Sequence, residues 1–171
     1  MPLIRPLICA AALATLPGLA AAEATATLVD SAGATIGSVS FTESESGVVL
    51  ITISAEGLTA GVHAIHIHET GDCSAPDFES AGEHLALGHA HGLMAPDGPH
   101  PGDLPNLLAG EDGTVAVEFF NDRISLDADA ENTVFDDDGS AVVIHAGADD
   151  YASQPSGNSG DRIACGVIEA Q

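Results

Sequence analysis

From Thr25 onward the chain alternates apolar and polar residues in short runs. Thr25–Val29, Thr35–Phe41 and Gly47–Ser54 are separated by the polar stretches Asp30-Ser31-Ala32-Gly33 and Glu43-Ser44-Glu45-Ser46-Gly47. Val62–Glu69, Thr114–Phe120, Ile124–Leu126, Ala141–His145 and Ile163–Ile168 follow. Alternation places every second side chain on one face of a strand, so each run buries one face and wets the other. Eight such runs, with no amphipathic helical period among them, predict an all-β domain, either a β-sandwich or a Greek-key barrel.

Two long segments break the rhythm, one from Thr70 to Asp112 and one from Gly147 to Asp161. Their Gly, Pro, Asp, Ser and Asn content marks them as loops. Structureless loops of this length are uncommon in a compact domain and usually carry function. Six of the eight histidines lie in or beside them. Function is expected there.

The N-terminus reads differently. Residues 1–22 carry one base, Arg5, then an apolar run from Leu7 to Leu19, and close on Ala20-Ala21-Ala22 ahead of Glu23. That is the layout of a secretory signal peptide cleaved near Ala22. Its apolar core is short and broken by Pro17-Gly18, which argues against a membrane anchor. The expected mature chain is 23–171, a single domain exported to the periplasm.

Removing the leader sharpens the charge. All 26 acidic residues lie at or after Glu23, lysine is absent, and only Arg123 and Arg162 remain as strong bases, so the mature chain carries 2 − 26 = −24. Such a surface repels nucleic acid and anionic membrane. Of three cysteines, Cys9 departs with the leader. An even pair in an oxidising compartment reads as a disulfide between Cys73 and Cys165. Closing that loop contributes about 4–5 kcal/mol in the chain-entropy account.

The histidines carry the chemistry. In Gly61-Val62-His63-Ala64-Ile65-His66-Ile67-His68, His66 and His68 share one strand face while Ile65, Ile67 and His63 share the other. The simplest assignment puts the isoleucines in the core, His63 as a buried ring satisfied by backbone, and His66 with His68 outside the core, able to chelate one metal. The first loop adds His84, His89, His91, His100 and Asp103, and His145 ends a late apolar strand. Imidazole suits zinc and copper, and mixed imidazole–carboxylate sets suit zinc. Spacing alone does not say which histidine serves which ion.

The segments GVHAIHIHETGDC, AGEH, AHGLMAPDGPHPGDLPN, IHAGADD and GDRIACGVI, in that order, resemble the bacterial Cu/Zn superoxide dismutase family. The resemblance implies an eight-stranded Greek-key β-barrel, an immunoglobulin-like sandwich with two functional loops. It implies one copper held by His66, His68, His84 and His145, and one zinc held by His84, His91, His100 and Asp103, with the His84 ring shared. Asp149 would orient ligands of both ions, Arg162 would bind the superoxide anion beside copper, and Cys73–Cys165 would tie the long loop to the last strand. The family admits monomers and homodimers.

One departure stands out. Relatives commonly carry an aromatic, Asn or Asp, then Pro after the shared histidine, where this chain has Leu85-Ala86-Leu87 and a segment to His91 about one residue short. His89 thereby becomes a rival to His91. A copper-only dismutase is one alternative that follows from this loop. A non-catalytic copper-binding relative is another, although Arg162 and a complete shared-ring set have no use in storage. Lysine, which relatives use to draw in the anion, is missing, while Asp149, Asp150 and Asp161 precede Arg162. A comparatively slow enzyme, whose rate is flat or rises with salt, is the expectation.

Overall fold

The computed structural model describes residues 22–171. The leader expected over residues 1–22 lies outside the described residues, apart from Ala22.

Ten strands form: β1 (Glu23–Asp30), β2 (Thr35–Glu43), β3 (Val49–Ala55), β4 (Gly61–His63), β5 (Ile65–His68), β6 (Leu107–Ala109), β7 (Val115–Asn121), β8 (Ala141–His145), β9 (Arg162–Val167) and β10 (Glu169–Ala170). Among the described residues the helical content is one 3₁₀ turn, Glu79–Ala81, and no helix is long and apolar enough to cross a membrane. The main sheet runs β5-β8-β9-β1-β2-β3-β7, with β10 added against β1, and β4 pairs with β6.

The stretch from Gly61 to His68 closes the curl by changing partner. Gly61–His63 pair with β6, which lies beside β7. Ala64 then donates to the Gly147 carbonyl (2.7 Å) and accepts from the His145 amide (2.9 Å), and Ile65–His68 pair with β8. The result is an antiparallel β-barrel, one of the two architectures that the alternating runs predict and the one that the resemblance implies.

The count of eight holds if β4 and β5 are one stretch and the two-residue β10 is set aside, but one member differs. Ile124–Leu126 is not a strand. Both residues are buried, yet only Ser125 makes an isolated bridge, to Thr133. The Leu126 amide goes instead to the Glu43 carboxylate at 2.6 Å, so a side chain takes the place of a neighbouring strand. Conversely Leu107–Ala109, read as loop, is β6: Leu107 and Ala109 are buried and Leu108 faces out. Three residues that are all apolar show no alternation for a sequence reading to detect.

Leu28, Val39, Phe41, Ile51, Ile53, Ile65, Ile67, Leu107, Val142 and Ile144 fill the barrel. Ile65 and Ile67 face it as expected, and His66 and His68 face the other way. These two rings are nonetheless buried, because the first long loop lies over them. It does so by pairing with the free edge of β5: Ile67 donates to Gly102 (2.8 Å) and accepts from Leu85 (2.9 Å). Gly102 must be glycine here, since a Cβ would overlap the Ile67 carbonyl oxygen. His63 is the buried, backbone-satisfied ring that was expected, with Nδ1 2.8 Å from the His145 carbonyl and Nε2 2.8 Å from that of Thr59.

A smaller apolar cluster of Phe78, Ala81, Ala141, Val143 and Cys165, with Val29 and Cys73 packed against it, seats the start of the same loop. The disulfide Cys73–Cys165 crosses it, with the Cα atoms 5.6 Å apart. That pairing is as read from the sequence.

Candidate metal centre

Strand pairing brings three rings together. His66 and His68 lie on β5, and His145 ends β8 at a register shift against β9. The loop edge supplies the fourth, since His84 bridges His68 and Asp103 bridges His66. One nitrogen from each of His66, His68, His84 and His145 falls within 4.8 Å of the others.

Each ring has one nitrogen held and one bare. His66 Nε2 meets Asp149 Oδ2 at 2.9 Å. His68 Nδ1 meets the Gly82 carbonyl at 3.0 Å, and His145 Nδ1 meets that of Gly160 at 3.2 Å. His66 Nδ1, His68 Nε2, His84 Nε2 and His145 Nε2 are buried without any hydrogen-bond partner. A buried unpaired polar atom costs about 1–3 kcal/mol. Four converging lone pairs are therefore a poor arrangement for protein alone and a good one for a metal that accepts imidazole.

A second cluster shares His84. The Nδ1 atoms of His84, His91 and His100 lie 3.2, 3.0 and 3.3 Å from a single atom, Asp103 Oδ1. A tetrahedral ion with ligands at about 2.0 Å sets those ligands about 3.3 Å apart. His100 Nδ1 is buried and lacks the alignment of a true hydrogen bond, as a ring aimed at an ion beside the carboxylate would. His66 also comes within reach of His84, His91 and Asp103, but its Nε2 is taken by Asp149, so we place its bare Nδ1 in the first set. Asp103 is held by the Gly92 and His100 amides at 2.8 and 3.0 Å.

Burial keeps three of the rings neutral. Burial, followed by His84, pushes the pKa of His68 down to about 2. Burial and then His66 push His145 down to about 3. Burial lowers His84 to about 4 although Asp103 pulls it up. For Asp103 burial acts upward, but His100, His84 and the Gly92 amide outweigh it and hold the carboxyl well below the usual range. Neutral imidazoles and an ionised carboxylate are the forms that bind metal.

The sign of these shifts gives a prediction. Without metal, the unfolded chain protonates His68, His84 and His145 near 6.5 while the folded protein resists at these three to about 4 or lower. Below pH 6.5 the unfolded state binds more protons, so stability falls as pH drops. Denaturant midpoints of the metal-free protein should therefore be lower at about pH 5 than at about pH 7.5. An equal or higher midpoint at the acid value would contradict the neutral-ring picture.

Asp149 links the two clusters. It is 3% exposed and accepts from His66 Nε2 (2.9 Å), His91 Nε2 (3.0 Å) and the Tyr151 amide (2.7 Å). Arg162 Nη1 and Nη2 donate to the Phe78 and Gly82 carbonyls, each at 2.7 Å. Gly82 thus receives both Arg162 and His68. Arg162 lines a cleft of about 410 Å³ with Pro76, Asp77, Glu79, Gly160 and Asp161. A larger hollow of about 630 Å³ on the barrel wall, among Thr27, Thr35, Ser38 and Ser54, contains none of the site residues.

Every site residue expected from the sequence joins one of these clusters, the cleft or the disulfide. His89 does not; it is exposed, with Nδ1 3.3 Å from the Asp97 carbonyl. Three supporting residues escaped the sequence reading. Asn106 exchanges two hydrogen bonds with the Asp149 backbone, Tyr151 Oη accepts from the Asn106 amide, and Gln154 grips His91. No ligand chemistry marks them in the sequence; only the meeting of the two loops does.

Residues 35–168 match the family model described as copper/zinc superoxide dismutase. The chain is 46% identical over 150 residues to a Cu-Zn superoxide dismutase of Caulobacter vibrioides, covering 86% of each. It is 45% identical over 148 residues to Cu-Zn superoxide dismutase 2 of Aquifex aeolicus, covering 85% of this chain and 86% of that one. The crystal structure of a SOD-like protein from Bacillus subtilis superposes with a TM-score of 0.80 at 43% identity, covering 84% of this chain and 96% of that one.

Proposed function

Because the chain belongs to the copper/zinc superoxide dismutase family, we infer that it converts two superoxide anions and two protons into oxygen and hydrogen peroxide. The observation that carries this is the His84 ring, whose Nδ1 faces Asp103 while its Nε2 stands bare among His66, His68 and His145. Copper would be held by His66, His68, His84 and His145. Zinc would be held by His84, His91, His100 and Asp103. When bound, copper supplies the one-electron redox couple and zinc a fixed positive charge.

The chain's own residues do the rest. Arg162 has two donors anchored on carbonyls and others left to bind the anion by charge-assisted hydrogen bonds. His84 Nε2 is the atom placed to hold a proton and pass it to the departing peroxide, while the anchored Nδ1 side keeps the ring from turning. Asp149 fixes the orientation of His66 and His91. The intact Asp103 cluster favours the two-metal reading over a copper-only one.

We read the protein as exported to the periplasm after cleavage near Ala22. β1 begins at Glu23, and the Cys73–Cys165 bond suits an oxidising compartment.

The direct test is metal content and superoxide removal on one sample. A copper-to-zinc ratio near one and turnover lost on copper chelation are expected. Protein loaded with both metals that left superoxide untouched would overturn the reading. Salt provides a second check. Asp77, Glu79 and Asp161 are exposed around the Arg162 cleft, so between about 0.01 and 0.3 M salt, where the Debye length shrinks severalfold, kcat/KM should stay flat or rise. A steep fall would show attraction where we expect repulsion.

A further inference from the structure

Most ligand-bearing backbones in this centre are held by other backbone. His66 and His68 sit in the β5–β8 ladder, His145 pairs with Arg162 of β9 and donates its amide to Ala64, and His84 bridges His68. His91 differs. It lies in a loop turn beside Gly92, and a single side chain takes both of its backbone groups. The His91 amide donates to Gln154 Oε1 at 3.0 Å, and Gln154 Nε2 donates to the His91 carbonyl at 2.7 Å. A carboxamide placed this way reproduces the donor–acceptor pair of a neighbouring strand. The same segment also presses on the ring: a Cβ at Gly157 would overlap Asp149 Oδ1 and come within 2.7 Å of His91 Nε2. Residues 154–157 therefore bind the His91 backbone and run close beside its ring.

We propose that Gln154 is a positioning residue for the zinc subsite, doing by side chain what a strand does for the copper rings. The proposal rests on the assignment of His91 to zinc. His91 Nδ1 reaches Asp103 Oδ1 (3.0 Å) only while its backbone keeps its place; Ala90 and Gly92 on either side make backbone hydrogen bonds, but among the described residues none reaches His91 itself. Gln154 is itself exposed and contributes nothing to the barrel core. Its loss should act on zinc and leave copper and the fold alone.

The test uses the mature protein and the variants Gln154→Met, which keeps the volume, and Gln154→Ala. Zinc affinity is measured by chelator competition on copper-free protein. The visible spectrum of cobalt(II) in the zinc subsite is recorded alongside it. Supporting ligands of metal sites are worth about 10–100-fold in affinity, and a backbone clamp belongs at the low end. Zinc affinity should fall about tenfold in both variants, with altered cobalt bands. Copper affinity of the zinc-free protein and the melting temperature of the metal-free protein should be unchanged. Unchanged zinc affinity, or equal losses for zinc and copper, would overturn the proposal. If the unsubstituted protein failed to bind zinc, the two-metal assignment itself would fall, which is a different result.

Discussion

Exchange of His84 for alanine should cost both the zinc and the chemistry. The ring is the side chain assigned to both clusters, so its removal leaves His91, His100 and Asp103 on one side and His66, His68 and His145 on the other. Copper would retain three converging rings and should still bind, more weakly. Zinc would lose one of the four ligands assigned to it. The proton-holding atom disappears as well, and positioned proton transfer is worth about 10²–10⁴-fold. Superoxide turnover followed by stopped flow should fall by at least about a hundredfold, and metal analysis should show copper without stoichiometric zinc. A variant that kept both metals and most of its turnover would refute the shared-ring mechanism.

Asp149→Asn should cost nearly as much, although Asp149 touches neither proposed ion. The carboxylate accepts three hydrogen bonds, from His66, His91 and Tyr151. Asparagine has the same shape but presents an NH₂ to one ring N–H, so a buried donor faces a donor. Leaving one such donor unpaired costs about 1–3 kcal/mol, and loss of an outer partner lowers metal affinity about 10–100-fold. Because the two oxygens serve rings of different clusters, both metals should bind less tightly. That distinguishes this change from the zinc-only effect expected at Gln154. Retention of unsubstituted affinity for both ions would remove Asp149 from the role assigned to it.

The parts of this centre that were legible in the sequence are those enforced by local geometry. Alternation marked the strands, and the His-x-His spacing placed His66 and His68 on one face. The family resemblance supplied the division of ligands between the metals. What escaped was set by contacts between distant segments. Leu107–Ala109 pairs as a strand because β4 passes beside it, which three apolar residues cannot announce. Ile124–Leu126 carries a strand's pattern, but the Glu43 carboxylate claims its amide. Gln154 looks like any loop residue until the two loops meet. The shortened segment after His84 raised His89 as a rival; His91 is fully buried beside Asp103, whereas His89 is exposed.

The shared carbonyl of Gly82 has a mechanical consequence. His68 and Arg162 come from different strands, β5 and β9, yet each takes its bearing from that one oxygen. A displacement of that carbonyl should therefore bear on the imidazole and the guanidinium together rather than on either alone. The disulfide restrains the guanidinium's strand. Two groups proposed to act together on one small anion are thus gauged against a common datum.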